Sequence, residues 1–250
     1  MSYPFKTVPH CEYNRTFLRD VRVAVGYPTV EANAVNKEQL QSFFSQFNGA
    51  NIDVDIFLSN KNINIFSNER DVEFRFTLNY AEAKLTTPFY STFERAMPYW
   101  LLLQDYMQAL GVTQITGLIE RKYSEFSFKS DNANYKIKDV MSEVFSSELM
   151  DKIPQNTSFK ELNSFEKNWS ETDEESATIF NVVFGFKKAD TSIKDDHLTL
   201  VTTVERKRNS EIISIGDYPT LINRYNEILF QAFHWCVRRE IINHMNIKKQ

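Results

Sequence analysis

Apolar and polar residues alternate along several segments of this chain, and they follow helical spacing along others. Alternation with a period of two places one set of side chains on the buried face of a strand, whereas spacings of three and four mark one face of a helix. In 72–78, for example, apolar residues occupy every second position and charged or polar residues lie between them. Strands are predicted at 18–25, 52–58, 62–66, 72–78, 112–128, 177–186 and 197–207, with weaker patterns at 159–169 and 211–215.

Helical spacing predicts two long helices. The first covers 88–110 and ends before Gly111, and the second covers 218–245 after an Asp217 N-cap. Pro98 is predicted to kink or split the first helix, because proline lacks the amide donor and collides with the preceding turn. Shorter helices are predicted at 37–47, with Asn36 as N-cap and Gln39 in the reciprocal capping position, and at 137–150.

These elements predict an α+β fold with mainly antiparallel sheets that are covered by the two long helices. We expect two packed halves, 1–153 and 154–250, which form one intimate unit. A chain of 250 residues can bury a substantial core, and its 21 Phe residues carry large burial areas. This composition argues against disorder over most of the length.

Charge, cysteine usage and hydropathy bound the class of protein. The 29 basic and 33 acidic residues give a net charge of −4, which disfavours bulk non-specific attachment to nucleic acid but leaves room for a local basic patch. The 2 cysteines form no disulfide framework. The longest apolar cluster, 99–103, is far shorter than a membrane span, and the N-terminus lacks a signal-peptide pattern. We therefore expect a soluble, cytoplasmic protein with no membrane partner.

Two predicted strands contain the same three charged residues, Glu-Arg-Lys. Segment 115–122 and segment 200–207 both change from apolar to charged, which suggests two related halves. Equivalent strand ends would line an edge able to hold an acidic peptide, a phosphate or a nucleic-acid strand. The alternatives are charge pairing on a wet sheet face and chance similarity. The residues concerned are Glu120, Arg121, Lys122, Glu205, Arg206, Lys207 and the adjacent Arg208.

A second candidate surface lies near the C-terminus, where Trp235 is followed by Arg238 and Arg239. Arginine beside exposed aromatic groups is typical of protein interfaces and of nucleic-acid sites. In the alternative interpretation, the two arginines only complement the negative end of the last helix.

The chain shows no catalytic signature. It contains neither a Gly-x-Ser-x-Gly segment nor a phosphate-binding glycine loop. His10, Cys11, His234 and Cys236 are zinc-ligand types, but Cys236 falls on the apolar stripe of the last helix and His234 points to a different helix face. We therefore predict no catalytic residue, no metal and no cofactor.

Three blocks of the sequence carry a resemblance to a known family. They are the early strand 18–25, the aromatic block with Tyr90, Phe93, Trp100 and Tyr106 that leads into the strand at Leu118, and the helix segment 221–233. Together they make the chain similar to a sporadically distributed family of uncharacterised prokaryotic α+β proteins, found in phage, mobile-element and defence neighbourhoods. The family's Leu-x-Tyr-x-Asn segment is replaced here by 118–123. The resemblance implies no activity, cofactor or catalytic residue.

The leading hypothesis is a non-catalytic cytoplasmic recognition or assembly protein, accessory to a phage-related or antiviral defence system. Its partner would be another protein encoded nearby, or a second copy of the chain. The first alternative is a nucleic-acid-binding module that uses the basic strand ends. The second is an enzyme whose carboxylates come from distant segments.

Overall fold

The computed structural model describes residues 3–5, 8, 17–31, 33–34, 36–44, 51–57, 60–66, 71–86, 93–128, 137–152, 164–188, 195–207 and 211–244. The fold is α+β, with a large antiparallel sheet and a few helices. The predicted fold class is therefore confirmed.

The strands are β1 (Leu18–Gly26), β2 (Asn51–Phe57), β3 (Asn60–Phe66), β4 (Val72–Phe76), β5 (Tyr80–Thr86), β6 (Gln114–Ile115), β7 (Gly117–Phe128), β8 (Ser164–Asp173), β9 (Thr178–Lys187), β10 (Asp196–Arg206) and β11 (Ile213–Ser214). The helices are α1 (Lys37–Phe43), α2 (Phe93–Ala109), α3 (Ile137–Val144), α4 (Ser147–Met150), α5 (Tyr218–Cys236) and α6 (Arg239–His244).

The chain divides into two compact units that differ from the predicted halves. Unit 1 contains 1–19, 122–204 and 227–250, and unit 2 contains 20–121 and 205–226. The division falls inside β1, β7, β10 and α5, whereas the predicted boundary was at 153/154.

Unit 2 contains an antiparallel meander in the strand order β2-β3-β4-β5-β1-β7. Alternation buries one face of each strand: Phe74 and Phe76 point inward from β4, for example, while Arg75 between them is exposed. The rings of Phe44 and Phe76 pack with Tyr106 of α2, and Phe74 packs on Phe44, at centroid distances of 4.5–5.7 Å. Helix α2 lies against β5. This aromatic cluster is the core of the unit.

Strand β5 was absent from the predicted elements. Ala81, Ala83 and Leu85 are fully buried, and Glu82 and Lys84 alternate with them. The alternation is that of a strand, but alanine, glutamate and lysine are weak strand formers. Pairing with β1 and β4 on both sides overrides that local preference.

Unit 1 contains the order β7-β10-β9-β8. Strand β8 pairs with β9 in antiparallel register from Ser164↔Lys187 to Asp173↔Thr178. Strand β8 therefore extends beyond the weak strand pattern predicted at 159–169, because it continues to Asp173. The turn that follows occupies 174–177, and Ala177 takes a positive φ of 49°.

The predicted pair of long helices is not confirmed. Helix α2 has 17 residues and continues through Pro98, and α5 has 19 residues and ends at Cys236, well before the predicted 245. Gly111 follows α2 with φ +77°, which suits its role after the helix end. Asn36 is confirmed as the N-cap of α1, since its side chain accepts from the Gln39 amide at 2.8 Å. None of the helices in the described ranges is long and apolar enough to cross a membrane.

Candidate functional site

Two helix breaks in unit 1 are joined by a short antiparallel bridge. Phe145, between α3 and α4, pairs with Val237, between α5 and α6. The Ser146 amide donates to the Cys236 carbonyl at 2.8 Å, and the Arg238 amide donates to the Val144 carbonyl at 2.8 Å. These bonds give the main chain partners outside the helices, which explains why neither predicted helix runs unbroken.

Side chains complete the junction. The Ser146 hydroxyl accepts from the Leu149 amide at 3.1 Å and caps α4. The Arg238 guanidinium donates to the Ser142 carbonyl at 3.0 Å, near the end of α3, where carbonyls lack helical partners. The side chain of Phe145 is buried between Phe126 and Phe184. The junction is therefore a rigid platform beneath the surface groups.

A groove of about 790 Å³ opens above this junction. We call it the junction groove and use the word wall for each of its two lining segments: Ser147, Glu148 and Asp151 belong to the first wall, and Trp235, Arg238, Arg239 and Glu240 belong to the second. The sequence prediction of a surface at Trp235, Arg238 and Arg239 thus identifies three residues that line one groove.

The first wall of the junction groove is acidic, whereas the second carries both signs of charge. Glu148 and Asp151 are exposed on the first wall, and Arg239 and Glu240 are exposed on the second. Arg238 also forms an ion pair with Glu240 at 3.2 Å. The exposed Glu240 carboxylate accepts a hydrogen bond from its own backbone amide, which lowers the pKa of Glu240. The positive charge of Arg238 lowers this pKa further. The groove therefore offers donors and acceptors to a partner that carries both signs of charge.

Trp235 is packed more tightly than the sequence suggested. Its ring lies 5.3 Å from Trp169 and 6.3 Å from Phe5, and it is half-buried. The Lys152 ammonium lies 5.4 Å from the Trp169 ring centroid, a cation–π distance. The sequence predicted an exposed aromatic residue beside the arginines. The structure corrects this, because Trp235 is half-buried in a cluster with Trp169 and Phe5.

The two Glu-Arg-Lys segments lie in unlike environments. In the first, Leu118 and Glu120 are buried and a bend at Thr116 separates β6 from β7. In the second, the strand is continuous and buries Leu200 and then the three consecutive residues Thr202, Thr203 and Val204. Glu120 is fully buried, whereas Glu205 is half-exposed. The two strand ends therefore differ in structure, because only the first buries its glutamate.

The arginines of these segments have protein partners. Within unit 2, Arg121 is exposed and lies near Tyr80. Burial and Glu82 raise the pKa of Tyr80, and the positive charges of Arg75 and Arg121 reduce this rise. Arg206 donates to the Glu211 carbonyl. Lys122 and Lys207 are half-exposed, and Arg208 lies outside the described residues. For Arg121, this arrangement fits charge pairing on a wet sheet face.

Several polar residues that build unit 1 gave little signal in the sequence. Ser142, Ser146 and Thr178 are ordinary small polar residues whose roles depend on distant segments. Gln231 carried a detectable signal, because it falls on the apolar stripe of the last helix between Ile228 and Ala232. Among the described residues, no group of three or more His, Cys, Asp or Glu side chains could hold a metal ion.

Comparison of the chain with protein-family models and with curated proteins finds no match.

Proposed function

We propose that this chain is a cytoplasmic recognition protein and that the junction groove is its contact surface for a protein partner. The observation that supports the proposal is the convergence of Trp235, Arg238 and Arg239 on one wall of a groove whose other wall is acidic. Interfaces are enriched in tryptophan and arginine, and charge complementarity selects the partner. The partner would therefore place both acidic and basic side chains along one segment.

The rigidity of the groove floor supports this function. Main-chain bonds and the buried Phe145 fix both walls, so little ordering free energy is lost when a partner binds. Arg238 is held by Ser142 and Glu240, whereas Arg239 is exposed at the rim. Arg239 is therefore the better residue for testing recognition without disturbing the fold.

The experiment is co-purification of the tagged chain with proteins that are encoded beside it, followed by direct titration of any partner found. Arg239→Glu reverses one rim charge, and we expect it to weaken binding by roughly tenfold or more at low salt. Lys187→Glu is the matched control, since Lys187 is an exposed cation of the same unit outside the groove. A partner that binds both variants equally would contradict the groove assignment.

The accessory role in a phage-related or antiviral defence system remains part of this proposal and rests on the resemblance alone. If the proteins encoded beside the chain all fail to bind it, that role is rejected.

A further inference from the structure

Residues of the N-terminal arm, which we define as Tyr3, Pro4, Phe5 and Val8, are held in unit 1 as a bound peptide would be. The Val8 amide donates to Gln231 Oε1, and Gln231 Nε2 donates to the Val8 carbonyl at 2.9 Å. One side-chain amide thus satisfies both main-chain groups of a single residue. The two hydrogen bonds recognise main-chain groups, as in the binding of an extended peptide, and they do not depend on the side chain at position 8.

Gln231 is pre-organised for this task. Its side chain is only 5 % exposed, and Nε2 also donates to the carboxylate of Glu227, one helical turn earlier. A carboxylate can only accept, so this contact fixes which end of the amide is the donor and leaves Oε1 for the Val8 amide. The polar pair is therefore oriented by α5 itself, and not by the arm.

The aromatic residues of the arm enter a second part of the same surface. The Tyr3 hydroxyl and Thr178 Oγ1 are hydrogen-bonded at 2.6 Å, and Tyr3 stacks on Phe5 at 5.2 Å. Phe5 meets the Phe180 ring edge-on at 5.1 Å and approaches Trp235. Pro4 lies between the two rings in sequence, and proline restricts the backbone of such a segment before it binds.

All of these partners are remote in the chain. Thr178 is 175 residues from Tyr3, and Gln231 is 223 residues from Val8. A segment whose hydrogen-bond partners among the described residues are this distant in the chain has the contacts of a separate ligand, and its tether sets a local concentration on the order of millimolar. We call the receiving surface the arm site, defined by Thr178, Phe180, Gln231 and Trp235.

We propose that the arm site is a peptide-binding site that the chain's own N-terminus occupies, and that its partner is an extended segment of another protein with an aromatic-Pro-aromatic sequence. Such a segment supplies two rings to Phe180 and Trp235 and a free main chain three residues later to Gln231. The arm then acts as a tethered competitor. The arm site shares Trp235 with the junction groove, which Pro4 and Val8 also line, but the peptide titration below tests the arm site without any partner of the groove.

The test uses the full chain with the arm weakened by Tyr3→Ala and Phe5→Ala together. A peptide with the sequence of residues 1–8, labelled at its amino end and amidated at Val8, is titrated by fluorescence anisotropy. We expect saturable binding to the double variant that is roughly tenfold tighter than to the wild-type chain, where the arm competes. No saturable binding to a folded double variant up to about 1 mM peptide would overturn the proposal.

Changes in the peptide isolate the main-chain contact without affecting the fold. N-methylation of the Val8 amide removes the donor to Gln231, and we expect affinity to fall about threefold to tenfold, as for one hydrogen bond. In the protein, Gln231→Ala should produce a larger loss, because it removes both hydrogen bonds to Val8, whereas Asn223→Ala, which changes an exposed carboxamide on the same helix, should leave the affinity unchanged. Equal affinity for methylated and unmethylated peptide would overturn the assignment of Gln231.

Light scattering of the wild-type chain and the double variant identifies the occupant. Monomers in both cases support a segment from another protein. If the wild-type chain forms dimers that the double variant does not, the occupant is the arm of a second copy, and the assignment to another protein is overturned.

Discussion

Phe145 is the residue on which the platform of the junction groove depends most. Its side chain is 1 % exposed, and it meets Phe126 at 6.2 Å and Phe184 at 5.8 Å, both edge-on. Phe145→Ala removes the ring and leaves a cavity, which costs about 3–5 kcal/mol for a buried phenylalanine. Since domains are stable by only about 5–15 kcal/mol, we expect unit 1 to lose about a fifth or more of its stability.

A second variant separates the volume of the ring from its aromatic contacts. Phe145→Leu keeps most of the volume, and a swap of this kind costs less than about 1.5 kcal/mol. The loss of two edge-on pairs adds about 0.5–1.5 kcal/mol for each pair. The leucine variant should therefore be about 1–4.5 kcal/mol less stable than the wild type and more stable than the alanine variant, while the main-chain bridge to Val237 stays intact.

The measurement is urea unfolding followed by tryptophan fluorescence. A Trp100→Phe background leaves Trp169 and Trp235, which both report on unit 1. Ser147→Ala is the control on the same junction, because Ser147 is exposed, and we expect a change within about 0.5 kcal/mol. A Phe145→Ala midpoint shift worth less than about 1 kcal/mol, with an unchanged slope, would refute the assignment of Phe145 as the centre of the platform.

Two further changes test unit 2 and the β8–β9 turn. Burial, with a smaller effect of Glu120, raises the pKa of Tyr218 well above 10. Above about pH 10 the folded state therefore keeps a proton that the unfolded state releases. The free energy of unfolding should then fall by about 1.4 kcal/mol per pH unit because of this group. Tyr218→Phe removes a hydroxyl without a hydrogen-bond partner among the described residues. Its urea midpoint should match that of the wild type at neutral pH and fall less steeply with pH between about pH 10 and 12. An equally steep fall of the midpoint for both proteins would contradict this. Ala177→Gly relieves the strain of a positive φ of 49° in the β8–β9 turn. It should stabilise unit 1 by up to about 1 kcal/mol, because the greater entropy of glycine in the unfolded state offsets part of the gain. A lower urea midpoint for the variant would contradict strain at this residue.

The sequence predicts strands well where branched and aromatic residues alternate with polar ones. Strands β1, β4, β9 and β10 lie within about two residues of their predicted bounds. Strand β5 was missed because its buried face is made of Ala81, Ala83 and Leu85, and alanine carries little strand preference. A prediction that gave the alternation of buried and polar positions more weight than residue composition would have included β5.

The helix boundaries at the junction could not be predicted from local patterns. The segments around Phe145 and Val237 both continue the helical spacing of apolar residues, and neither contains proline or glycine. The breaks arise because each segment gives main-chain hydrogen bonds to the other. Long-range bridges of this kind leave no signature in the spacing of either segment.

Buried glutamines show what a sequence can say about distant contacts. Gln104 and Gln231 both fall among the apolar residues of helices, and both are less than a tenth exposed. Each bonds main chain far away: Gln104 Nε2 donates to the Ile215 carbonyl at 2.8 Å, and Gln231 pairs with Val8. Because a buried amide must be hydrogen-bonded, a glutamine on an apolar helix face predicts a main-chain or polar partner from outside that helix. The identity of that partner depends on topology, and for Gln231 it is a segment that another chain could replace.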